Sequence, residues 1–241
     1  MCCIWNNYLL RRIPYGMSAE FFRKKWLFIL SCATALFIVA GIYAYTRYLD
    51  KATVEAVSQN YYFLVAESTH VEASTHQIIL SGGAGYLLDT GDREYVTVAS
   101  YLTNSEAENV QKSLTEDTKI ISLKLNNLYF KTRKQKRNAK KIKAAFLCFA
   151  DCIEVLYQEI SRLEKGGTQE SCKRILETLK KQIDYLAKEY KDVFVSYGNL
   201  CDKAVKKLDV LMQNTVFASD LRRLQCDMCY SLVRLQEEYS L

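Results

Sequence analysis

The chain has 241 residues, 33 basic against 27 acidic for a net charge of +6, and 49% of its residues are apolar. The charge is unevenly placed: residues 1–47 hold six basic residues against Glu20 alone, which leaves 27 basic and 26 acidic residues in 48–241. That near balance excludes a nucleic-acid footprint, and the roughly 190 residues beyond the basic start suffice for one or two cores, read here as two units.

Met1 to Gly16 contains Cys2, Cys3, Trp5 and the chain's only proline, Pro14, and reads as dispensable or as the product of an upstream start, with Met17 opening a compact head. Trp26 to Tyr45 then runs twenty residues without a charge. At ~1.5 Å per residue such a helix spans a hydrocarbon core of ~30 Å. Arg11, Arg12, Arg23, Lys24 and Lys25 precede it, whereas Arg47, Asp50 and Lys51 after it are mixed. The positive-inside rule therefore predicts a single-pass cell-membrane protein with a cytoplasmic amino terminus and 48–241 extracytoplasmic. A cleavable signal peptide has a shorter apolar region of ~7–15 residues and a small-x-small site, so a retained anchor is the reading adopted. Ile29-Leu30-Ser31-Cys32 resembles a lipoprotein box only loosely, since cutting there leaves a greasy new terminus.

The expected organisation is a head at 1–25, a transmembrane helix at 26–46, a spacer at 47–60, an α/β module at 61–127 and a helical bundle at 131–241. Within the module, Tyr61 to Ala66 is aromatic and β-branched, Glu72 to Leu80 suits a short helix, and Gly82-Gly83-Ala84-Gly85 punctuates. Tyr86 to Leu88 and Glu94 to Tyr101 flank Asp89-Thr90-Gly91-Asp92, the chemistry of a hairpin turn. Asn104 or Ser105 caps a helix through Leu114 with Ala107, Val110 and Leu114 on one face, and Ile120 to Leu125 is the last strand. The fold class is thus α+β, with the order β-α-β-β-α-β in the module.

With both helices on one side of the sheet, alternation sends Phe63, Val65, Val96 and Val98 towards them and Tyr62, Leu64, Tyr95 and Thr97 to an open face. Tyrosines and a threonine on such a face suit a sugar, by stacking on C–H faces and hydrogen-bonding hydroxyls; they are also ordinary strand residues. Gly83-Ala84-Gly85-Tyr86-Leu87, Tyr95-Val96-Thr97-Val98-Ala99-Ser100-Tyr101 and Glu106-Ala107-Glu108-Asn109-Val110 resemble the SPOR domain family of bacterial envelope proteins. The resemblance spans Tyr61 to Leu125. It implies a ferredoxin-like module that binds peptidoglycan glycan strands without catalysis, at sites of cell division or sporulation; Tyr62, Leu64, Tyr95 and Thr97, placed on the open face by alternation, are then the expected glycan contacts, although Leu64 stands where the family often has Gln.

From Lys131 the chain is proline-free and helical in pattern. Lys131 to Lys143 carries eight positive charges in thirteen residues and no acid, either the solvated start of a long helix or a run that meets anionic wall polymer or lipid headgroups. Nucleic acid is not an expected partner, because this run is placed outside the cell. Ile142, Phe146, Phe149, Ile153, Leu156, Ile160 and Leu163 step 4-3-4-3-4-3, the spacing of a coiled-coil seam. Gly166-Gly167 breaks the helix, Cys172 to Tyr197 repeats the rhythm to a cap at Gly198-Asn199, and a third helix runs from about Leu200 to Tyr239 with a phase slip at Asn214 to Ser219. A three-helix bundle is expected, able to self-associate or dock a protein partner.

Cys148 and Cys152, and Cys226 and Cys229, each share a helix face; free buried thiols, interhelical disulfides, a thiolate zinc site and C-x-x-C redox chemistry are the alternatives. His70 and His76 fall in the β-rich block, away from those thiols. No catalytic triad, phosphate loop or paired-carboxylate site stands out, so no enzyme activity, metal or cofactor is expected. The competing function is a membrane-anchored scaffold whose helical bundle is the working part.

Overall fold

The computed structural model describes residues 31, 33, 34, 36–43, 53–66, 71–114 and 117–240. Residues 52–241 form one compact unit. Its strands are β1 (Thr53–Glu55), β2 (Gln59–Ala66), β3 (Tyr86–Asp89), β4 (Glu94–Tyr101), β5 (Thr118–Leu125) and β6 (Leu128–Phe130). Its helices are α1 (Val71–Leu80), α2 (Asn104–Ser113), α3 (Arg133–Glu164), α4 (Gln169–Tyr190), α5 (Val195–Gln213) and α6 (Ala218–Gln236).

The N-terminal transmembrane helix in the expected fold class is corrected: among the described residues no helix is long and apolar enough to cross a membrane. The described residues of that region, 31, 33, 34 and 36–43, are helical. Residues 1–30, 32, 35 and 44–52, which include the head, both ends of the expected span and the start of the spacer, lie outside the described residues.

The β-α-β-β-α-β order is present as β2-α1-β3-β4-α2-β5, and the sheet order is β3-β4-β2-β5 with antiparallel neighbours throughout, the split-βαβ arrangement. Asp89 to Arg93 makes the hairpin turn: Gly91, at φ 87°, donates its N–H to Asp89 Oδ1 at 2.7 Å, a backbone position that favours glycine. A second small ribbon pairs β1 with β6, Thr53 opposite Phe130.

Four helices follow rather than three. Thr132 and Gln135 form a capping box at the start of α3. Its end is a Schellman turn, with Gly166 at φ 92° and Gly167 N–H donating to the Arg162 carbonyl at 3.0 Å. The seam from Ile142 to Ile160 is buried, as are Cys172, Leu176, Leu179, Ile183 and Leu186 on α4. The second break falls at Lys191 to Phe194, so Gly198 lies inside α5, and the phase slip is the loop from Asn214 to Phe217 that separates α5 from α6. Each helix packs on the next, and α6 returns onto α3, closing an up-and-down ring with short connections.

The α/β block and the helices are not two separate cores. Tyr61, Phe63, Val65 and Leu88 belong to the same buried cluster as Phe146, Leu156, Leu224 and Cys229, because α6 lies across β3, β4 and β5. At one end Phe130, Phe146, Phe194 and Tyr239 interlock, with Phe194 and Tyr239 edge to face at 5.1 Å, and join the small ribbon to the bundle.

Candidate functional site

The four expected glycan contacts do not share a face. Opposed residues of neighbouring strands point the same way, and Val65 stands opposite Thr97 while Leu64 stands opposite Ala99. Tyr95 and Thr97 therefore lie with Phe63 and Val65 under α6, and Tyr62 and Leu64 lie with Val96 on the side of α1 and α2. Leu64 and Thr97 are fully buried, Tyr95 is 9% exposed and Tyr62 is half-buried. The open face expected from alternation is covered: helices lie on both sides of the sheet. Tyr95 has a structural partner of its own, since Lys119 Nζ donates to its hydroxyl at 2.8 Å and sits 4.0 Å from its ring centroid.

The thiols are structural too. Cys148, Cys152, Cys172, Cys201, Cys226 and Cys229 are free, and all but Cys148 are buried. Burial pushes the Cys152, Cys201 and Cys226 thiols up to about 12 and that of Cys229 well above its ordinary range. Cys172 is likewise pushed up to about 12, by burial and then by a hydrogen bond with Glu159. Such thiols stay protonated at neutral pH and are poor nucleophiles. Cys229 sits 3.9 Å from Ser100 Oγ, inside the sheet–helix interface, so the C-x-x-C pair faces the sheet. His76 is exposed on α1, and His70 lies outside the described residues. Among the described residues no group of three or more His, Cys, Asp or Glu side chains is placed to hold a metal ion.

What the fold leaves open is the edge of the sheet at β3. A groove of about 600 Å³ runs beside it, lined by Tyr86 and Leu87 from β3, Lys206, Val210 and Leu211 from α5, and Arg223, Leu224 and Asp227 from α6, among others. Tyr86 and Leu87 are consecutive strand residues and point to opposite faces, so a groove that touches both runs along the strand's outer edge. Among the described residues no strand pairs with that edge. Leu87 is 44% exposed and Val210 60% exposed, giving the groove apolar walls.

Its charges are not balanced internally. Lys207 is paired with Asp227 at 2.6 Å, and Asp220 accepts the Phe217 N–H at 3.1 Å as a helix cap. Lys206 and Arg223 are exposed and, among the described residues, form no ion pair. Tyr86 is held in place by its ring contact with Tyr230 at 6.3 Å, and the Tyr230 hydroxyl donates to the Asp89 carbonyl at 2.7 Å. Burial, and then the Asp227 carboxylate, push the Tyr86 hydroxyl well above the ordinary tyrosine range. Pattern reading missed this groove because α5 and α6 meet β3 only through the tertiary fold; the break at Asn214 to Phe217 was its one trace in the sequence.

Comparison of the chain with protein-family models, with curated proteins and with solved structures finds no match, so nothing identifies a SPOR domain and the residues carry the functional case by themselves.

Proposed function

We propose that the chain is a non-catalytic interaction protein that docks an extended peptide segment of a partner along β3. The observation that carries the proposal is the conjunction of an unpaired strand edge with a groove touching both faces of that strand. An added strand satisfies the N–H and C=O groups along the edge, apart from the Asp89 carbonyl that already accepts from Tyr230, and its alternate side chains settle against Val210, Leu211 and Leu224. Lys206 and Arg223 favour an occupant with acidic residues between its apolar ones. The other edge strand, β5, meets a smaller pocket of about 360 Å³ at its Lys124–Leu125 end, walled largely by the polar Ser58, Asn126, Asn127 and Gln236, and the exposed Lys124 is the kind of charge that blunts an edge. A glycan reading through Tyr62, Leu64, Tyr95 and Thr97 draws no support from their burial on two different faces.

The test uses a labelled peptide of about six alternating valines and glutamates, the length of an ordinary strand, against the same peptide with lysines for glutamates. Fluorescence anisotropy should show saturable binding of the acidic peptide only, and hydrogen exchange should slow at the β3 amides. Arg223→Glu should weaken binding about tenfold or more, the size expected from a charge set against its partner. Binding without slowed exchange in β3 would move the site elsewhere and sink the proposal.

A further inference from the structure

We infer that the exposed basic face at the start of α3 is a docking site for anionic lipid headgroups, distinct from the groove at β3. Of the eight basic residues from Lys131 to Lys143, Lys143 pairs with Glu55 at 3.3 Å, Lys141 lies 3.9 Å from Glu189, and Lys131 donates to the Ser240 carbonyl at 3.1 Å. Arg133, Lys134, Lys136, Arg137 and Lys140 form no ion pair among the described residues, and all but the half-buried Lys136 are exposed. Ala139 and Ile142 are buried on the inner face, so packing holds the charged face outward.

The arrangement works against the helix that carries it. The first turn of α3 contains no acid, although that is the positive end of the helix dipole. Arg133 with Arg137, and Lys136 with Lys140, place like charges at i, i+4, which costs helix stability. Four of the other five helix starts carry an acid, Glu72 on α1, Glu106 on α2, Glu170 on α4 and Asp220 on α6; the first turn of α5 also lacks one but carries no basic residue either. An anionic surface removes both penalties together.

Two observations select lipid among anionic partners. From Lys131 to Lys143 there is no aromatic residue, so the face offers no platform on which bases could stack. The chain also enters the compact unit at this place: β1 pairs with β6, Thr53 opposite Phe130, and α3 begins three residues after Phe130. Upstream in the sequence, nine residues separate Thr53 from Tyr43, the last described residue of the uncharged helical stretch 36–43. In that stretch Leu36 is 70% and Phe37 80% exposed. Apolar side chains joined closely in sequence to a cationic face form the pair of features that membrane-surface proteins use, hydrocarbon contact and headgroup attraction.

Residues 52–241 hold a continuous core and are one compact unit, so this piece separates the cationic face from the apolar stretch. It should sediment with phosphatidylcholine vesicles that contain phosphatidylserine and stay in solution with phosphatidylcholine alone. Arg133→Gln, Lys134→Gln and Arg137→Gln together should lower the partition coefficient about a hundredfold with an unchanged circular dichroism spectrum, and raised salt should release the protein. Lys181→Gln with Lys188→Gln on α4, where both cations are paired within their own helix, is the control and should change nothing. Equal binding to the two kinds of vesicle, or undiminished binding by the triple variant, would overturn the inference. So would stronger competition from a single-stranded oligonucleotide than from phosphatidylserine vesicles, which would assign the face to nucleic acid.

Discussion

On one face of the four-stranded sheet, Ala66, Ile78 and Val96 form a small cluster under α1 and α2; on the other, Tyr61, Phe63, Val65 and Leu88 join a core that continues through all four long helices. The first face is closed by two helices of ten residues each, the second by a bundle. A split-βαβ sheet carries its own helices on one side only, so the other must be either open or covered by something appended. Here it is covered, and the appended helices convert a possible ligand face into core. The surfaces left open, on which the two proposals rest, are the edge of the sheet at β3 and the outer surface of α3.

The two faces should fail differently, and alkaline pH gives the largest contrast. All five fully buried thiols lie on the bundle side of the sheet. Unfolded thiols lose their protons near pH 8.5, whereas Cys152, Cys172, Cys201 and Cys226 keep theirs to about 12, and burial holds Cys229 well above its ordinary range. Between those values the folded state binds more protons than the unfolded one, so stability is complete below about pH 8 and falls as pH rises. Each thiol removes about 1.4 kcal/mol per pH unit in that window, so five together approach the whole stability of a domain, on the order of 5–15 kcal/mol. Melting curves should be flat from pH 6 to 8 and collapse between about 9 and 11. A melting temperature unchanged at pH 10 would mean that the thiols are not buried.

Ile153→Asp comes next in size. The side chain is fully buried in the α3 seam, and an unpaired carboxylate there costs several kcal/mol. Because sheet and helices share one core, near-ultraviolet and far-ultraviolet signals should be lost in a single transition. Two transitions, with the sheet melting separately, would split the unit and restore an independent α/β module.

What the sequence disclosed divides along the same line. The α3 and α4 seams were legible because a helix with one buried stripe repeats at 3–4 spacing, and Ile142 to Ile160 and Cys172 to Leu186 are that stripe. Strand alternation was legible within β2 and within β4. The phase between them was not: both faces of the sheet are buried, so Tyr61, Phe63 and Val65 look no more inward than Leu64 and Ala66. A bulge adds to the difficulty, since the register slips between Leu64 and Val65 and leaves Val98 without an opposed residue on β2. Gly198 misled because it suits a helix end, whereas the actual turn at Lys191 to Phe194 contains neither glycine nor proline. The ribbon of β1 and β6 pairs three-residue strands from distant parts of the chain, too short to show a pattern.

The smallest effect, and the most discriminating, concerns the two tyrosines that strand alternation alone places on a single face. Tyr95 is 9% exposed on the bundle side, where its ring and hydroxyl both engage Lys119. Tyr62 is half-buried on the other side, and its hydroxyl accepts only a long 3.4 Å bond from Asn60. Tyr95→Ala opens a cavity against the core and should cost about 2–4 kcal/mol, near the low end for removing a large buried ring. Tyr62→Ala should cost about 1 kcal/mol or less, since solvent fills much of the space vacated. Urea denaturation of the two variants measures the difference directly. Equal costs would place both rings in equivalent surroundings, and a Tyr95→Ala variant as stable as the parent would return that tyrosine to an open face.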